Sequence, residues 1–66
     1  MTINILAVRR NAQTISTQAE GWNEAYATAR GILAGWHNRP EAPIEQVFLS
    51  DGNELRQFTP EEIGGM

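Results

Sequence analysis

Residues 20–37 read "EGWNEAYATARGILAGWH", and they decide the fold. Wound at about 100° per residue, Trp22, Ala25, Tyr26, Ala29, Ile32, Leu33 and Trp36 fall on one stripe about 120° wide. A stripe of that width belongs to a helix laid against another layer. Asn23 is placed as the N-cap with Trp22 as the staple behind it, which keeps Gly21 outside the helix and avoids about 1 kcal/mol of glycine penalty. The other option is a capping box of Thr17 and Glu20 one turn earlier. Glu24 near the start and His37 and Arg39 near the end suit the helix dipole, and Asn38 and Pro40 stop the helix. The opposite side is almost bare of charge: Ala27, Gly31, Ala34 and Gly35, with only Asn23, Glu24 and Thr28 for polar company. Gly31 and Gly35 stand four apart, the spacing that lets a second backbone approach.

Before this helix lie two strands. "TINILAVRR" (residues 2–10) is β-branched and aliphatic, with Ile3, Ile5 and Ala7 on one side and Leu6 and Val8 on the other. Asn11, which tolerates positive φ, follows as a turn residue. "AQTISTQA" (residues 12–19) alternates weakly and reads as a polar edge strand.

After it, "NRPEAP" is a loop, and "PIEQVFLSDGNELRQF" (residues 43–58) is a hairpin around Asp51-Gly52. Strict alternation puts Ile44, Gln46 and Phe48 on one face of its first strand and Glu45, Val47 and Leu49 on the other. In the second strand Leu55 and Gln57 oppose Glu54, Arg56 and Phe58. "TPEEIGGM" opens with Thr59 and Glu62 at capping-box spacing and Pro60 at the first helical position. It reads as one turn that closes the hydrophobic edge with Ile63, or as a frayed tail. The expected fold is α+β, a ββαββ chain whose four-stranded, mainly antiparallel sheet carries one helix on one face.

Sixty-six residues suit a single domain spanning residues 1–66, with a thin core. No cysteine is present, so no disulfide or thiolate metal site supports it. No basic region precedes the first apolar run, and no segment approaches the roughly 20 apolar residues that span a bilayer. A soluble, cytoplasmic protein without membrane contact is expected. The net charge is −3, unevenly divided: residues 1–38 hold three arginines against two glutamates, and residues 39–66 two arginines against six carboxylates.

Catalytic and ligand-binding patterns are missing. His37 is the sole histidine, too few for a transition-metal site, and the "DGNE" turn lacks the ligands of a calcium loop. Ser16, Ser50 and Asp51 have no triad spacing to it, and no lysine exists to complete a phosphate-binding loop. The reading is a non-catalytic protein with no metal and no cofactor. What stands out is surplus apolar surface, because one helix covers one sheet face while several strands carry aliphatics on both. The expected contact surfaces are an open face of Leu6, Val8, Val47 and Leu49, the turn carrying Arg9 and Arg10, and the acidic hairpin with Asp51 and Glu54. The expected occupant is a protein partner. The alternatives are a homodimer through the same face, and a nucleic-acid binder using Arg9, Arg10 and Arg56, which the acidic balance disfavours.

Glu24-Ala25 with Ala29-Arg30 in the helix, followed by Ser50-Asp51-Gly52 in the last hairpin, complete a format that resembles small accessory proteins of phages and mobile elements, including anti-CRISPR proteins. The resemblance implies a phage-encoded, stoichiometric inhibitor that blocks a large host complex. An acidic second half that imitates a nucleic-acid backbone is compatible with that role. The resemblance assigns no functional residue.

Overall fold

The computed structural model describes residues 1–35 and 37–65. Ile3, Ile5 and Ala7 of β1 (Thr2–Arg9) point into the core, and the residues between them point out. Asn11, at φ 54°, helps to reverse the chain into β2 (Ile15–Glu20), which pairs antiparallel with β1. The second hairpin is β3 (Ile44–Ser50) and β4 (Leu55–Phe58), joined by a turn whose Gly52 has φ 97°. β3 inserts beside β1, and the sheet runs β2-β1-β3-β4 with every neighbour antiparallel. The α+β architecture is the expected one.

Two features of α1 (Trp22–Ala34) depart from expectation. Gly21, not Asn23, is the N-cap, with φ 84° and ψ 163°. That backbone conformation turns the chain from the end of β2 into the helix within a single residue, and only glycine adopts it without strain. The Gly21 N–H donates to the Met1 carbonyl at 2.8 Å, and the Glu24 carboxylate accepts the Glu20 N–H at 3.0 Å, so the corner is held by both flanks. Neither Asn23 nor the pair Thr17 and Glu20 serves as the cap. At the other end the helix stops at Ala34, because Gly35 is extended. Gly31 and Gly35 therefore do not share a continuous helical face, and His37 lies beyond the helix. Asn38 closes this end: its amide donates to the Leu33 carbonyl at 3.2 Å and its side-chain oxygen accepts from the Ile44 N–H at 3.1 Å. Trp36, assigned to the apolar stripe, lies outside the described residues.

Ala25 and Ala29 are buried, with Trp22, Tyr26, Ile32 and Leu33 packed at the margins of the core. Small residues at the centre of the stripe let α1 lie close to β1 and β2. The other half of the sheet is covered by α2 (Pro60–Gly64), which packs on β3, β4 and α1. Thr59 accepts the Glu62 N–H and Glu62 accepts the Thr59 N–H, the reciprocal box expected from the sequence. Ile63 is fully buried. The short helix is thus a second lid, and the frayed-tail alternative does not apply.

Candidate interaction surface

The strand that most changes the sequence reading is β3. Val8 pairs with Gln46, but Arg9 pairs with Ile44, so Glu45 is an extra residue opposite no partner. This β-bulge restarts the alternation. Ile44 consequently shares the core face with Val47 and Leu49, which are 1% and 0% exposed. The assignment of Val47 and Leu49 to the open face is corrected: they sit across from Ala7 and Ile5 in the interior.

The outward positions follow from the register. Across the middle row stand Ser16, Leu6, Phe48 and Gln57. The next row holds Gln18, Asn4, Ser50 and Leu55, and on the other side Val8 meets Gln46. Leu6 is 40% and Leu55 65% exposed, while Phe48 and Val8 are half-buried by their neighbours. No described element crosses this side, since α1 and α2 both lie on the other. The apolar pair Leu6 and Phe48 occupies the two central strands. Around it lie amides and hydroxyls, among them a Gln18 to Asn4 hydrogen bond of 3.0 Å. Charge stays at the margins of this face: Glu20 at one corner, and the exposed bulge residue Glu45, paired with Arg10, at the opposite end. Phe48 and Leu55 are the contact candidates that the sequence reading missed. The adjacent polar pair Glu45-Gln46 between Ile44 and Val47 was the available sign of a bulge.

The arginines are dispersed. Arg9 donates from Nε to the Gln13 carbonyl at 2.8 Å, closing its own turn. Arg10 bonds Glu45 at 3.0 Å, an exposed pair contributing about 0–1 kcal/mol. Arg56 lies on the helix side, opposite Leu49, where it is held by Glu54 and the Tyr26 hydroxyl, with its guanidinium 3.8 Å from the Trp22 ring centroid. Its hydrogen bonds to Glu54 and then Tyr26 raise its pKa further above the ordinary arginine value. The structure does not bring the three into one basic patch.

The acidic hairpin is likewise occupied by its own geometry. Asp51 accepts the N–H groups of Glu54 at 2.6 Å and Asn53 at 2.8 Å, and these bonds, Glu54 first, hold its carboxyl below the usual aspartate range. Ser50 accepts the Gly52 N–H at 3.1 Å. Glu54 is paired with Arg56. Among the described residues, no cavity opens, no group of three or more His, Asp or Glu side chains converges on a metal position, and no helix is long and apolar enough to cross a membrane.

Compared with protein families, with characterised proteins and with solved structures, the chain matches none.

Proposed function

We propose that this chain is a non-catalytic protein-interaction module whose contact surface is the open face of the sheet, centred on Leu6 and Phe48. One observation carries the reading: an apolar pair, Leu6 exposed and Phe48 half-buried, lies mid-sheet on a face whose charges stay at its margins. A solvated sheet face ordinarily alternates to polar and charged residues. Depletion of charge around apolar and aromatic side chains is the compositional mark of an interface core. Covering Leu6, Val8, Phe48 and Leu55 removes from water apolar area that the two helices leave open. Stoichiometric binding, not turnover, is also the mode that the resemblance to phage-encoded inhibitors implies.

The test is capture by a tagged bait, with host lysate and an untagged copy of the chain both offered as prey. Leu6→Glu and Phe48→Glu baits lose what the wild-type bait holds, whereas Ala27→Glu, on the exposed back of α1, keeps it. Retention of all prey by both sheet variants, shown folded by circular dichroism, overturns the assignment.

A further inference from the structure

We infer that the occupant of the open sheet face is a second copy of this chain, packed face to face about a two-fold axis. The inference rests on the contact-surface reading above and adds the partner. Three properties of the face select it.

The first is position. Leu6 and Phe48 are direct cross-strand partners on β1 and β3, the two inner strands of the sheet. A two-fold axis relating two facing sheets lies in the plane between them. If it runs along the strands through the centre, Leu6 of one copy meets Phe48 of the other. If it runs across them through the middle row, each residue meets itself. Both placements lay the apolar pair on an apolar pair, so the patch is complementary to its own image.

Charge is the second. Each copy carries −3, yet the centre of this face is free of charge: Glu20 stands at one corner, and at the opposite end the bulge residue Glu45 is neutralised by Arg10. The surrounding groups, Asn4, Gln18, Gln46 and Gln57 with Ser16 and Ser50, are amides and hydroxyls that both donate and accept. Such groups satisfy an identical set as readily as a foreign one. A partner of opposite charge finds nothing to pair with at the centre of this face, which fits a neutral, amide-rimmed surface such as a second copy presents.

Extent is the third. Strands of 8, 6, 7 and 4 residues, about 3.3 Å per residue and about 4.8 Å apart, give a face on the order of 400 Å² in projection. Two such faces remove on the order of 800 Å² in projection, the size of a weak, reversible contact. A weak dimer, with a dissociation constant on the order of 100 μM, is the expectation. Since the interface is neutral and the copies repel as wholes, added salt strengthens association.

Sedimentation velocity of the intact chain from about 5 to 500 μM, a range that brackets the expected constant, at about 0.15 and 1 M NaCl, reads this directly. The expected result is a monomer giving way to a dimer, tighter at high salt, with Leu6→Glu and Phe48→Glu shifting the midpoint at least tenfold and Ala27→Glu leaving it in place. Because the natural chain has no cysteine, single-cysteine variants supply a second readout that needs no core change. Under mild oxidation either Leu6→Cys alone, or Leu6→Cys mixed with Phe48→Cys, gives a covalent dimer, and Ala27→Cys does not. A wild type that stays monomeric throughout overturns the inference, as does a dimer indifferent to both glutamate variants. If the tagged bait captures a lysate protein through this face but no untagged copy, the second-copy inference fails while the contact-surface reading stands.

Discussion

The guanidinium of Arg56 sits 3.8 Å from the centroid of the Trp22 ring, tying the last strand to the first turn of α1. Tyr26 lies between them in sequence and space: its hydroxyl accepts from Arg56, and its ring meets Phe58 edge-on at 5.7 Å. An arginine is suited to this position because its planar head can stack while its N–H groups reach two acceptors. Lysine cannot reproduce that geometry. Arg56→Lys should therefore lower the melting temperature although charge is kept. Trp22→Ala, which removes a half-buried ring as well, should cost about 2 kcal/mol by urea titration. Equal melting of Arg56→Lys and wild type would show that the stack contributes nothing.

The core assignment of β3 makes a sharp contrast. Glutamate at Val47, which is 1% exposed, buries a charge with no partner and should unfold the chain at neutral pH. Glutamate at Leu6 should leave the far-ultraviolet circular dichroism unchanged. Reversal of the two outcomes would restore Val47 to the surface.

Ile63 tests whether five residues of α2 act as a lid. Ile63→Ala empties a fully buried site and should cost about 3 kcal/mol, a large share of what so small a chain holds. Thr59→Ala should cost about 1 kcal/mol by opening the capping box. The check is denaturant unfolding; a loss below 0.5 kcal/mol, roughly the scatter of surface substitutions, would show that α2 covers nothing.

The Asp51 carboxyl is held below its usual range by the Glu54 and Asn53 amides. As pH falls, the unfolded chain takes up this proton before the folded one does. The turn's contribution is therefore complete above about pH 4, the ordinary aspartate value, and is lost as pH drops through the lower folded value. Asp51→Ala should be less stable than wild type at pH 7, and the gap should close at acid pH. A gap that is unchanged at pH 2.5, well below the roughly 3.9 of a free aspartate, would remove the carboxylate from the explanation.

Gly31 lies exposed within α1, and a Cβ built there meets no atom within 4 Å. Gly31→Ala should stabilise the helix by about 0.5–1 kcal/mol. It should leave self-association unaltered, since the dimer uses the other side of the molecule. Weakened association would bring the helix back into the interface.

Local chemistry was legible wherever a residue's role is set by its immediate neighbours. Asp51-Gly52 gave the turn, Thr59-Pro60 with Glu62 gave the cap, and the period of Trp22, Ala25, Tyr26, Ala29, Ile32 and Leu33 gave the buried stripe. Alternation along β1 correctly separated Ile3, Ile5 and Ala7 from Leu6 and Val8. The misplaced members of the contact surface, Val47 and Leu49, were lost because a period-two count assumes unbroken pairing. Glu45 interrupts it only once β1 is docked alongside. Arg56 escaped for a similar reason: nothing near it in the chain shows that Trp22 and Tyr26 lie above it.

Spacing guards one corner of this molecule more strictly than chemistry does. Because Glu45 is the extra residue of the bulge, removing it would leave the ladder continuous: Ile44 stays opposite Arg9 and Gln46 opposite Val8, so Ile44, Val47 and Leu49 all keep the core face. Removing the paired residue Phe48 is different: with Leu49 kept in place Val47 would swing to solvent, and with Val47 kept in place Leu49 would. Point substitutions and even a one-codon deletion at Glu45 should thus be tolerated, while a one-codon deletion at Phe48 should be ruinous.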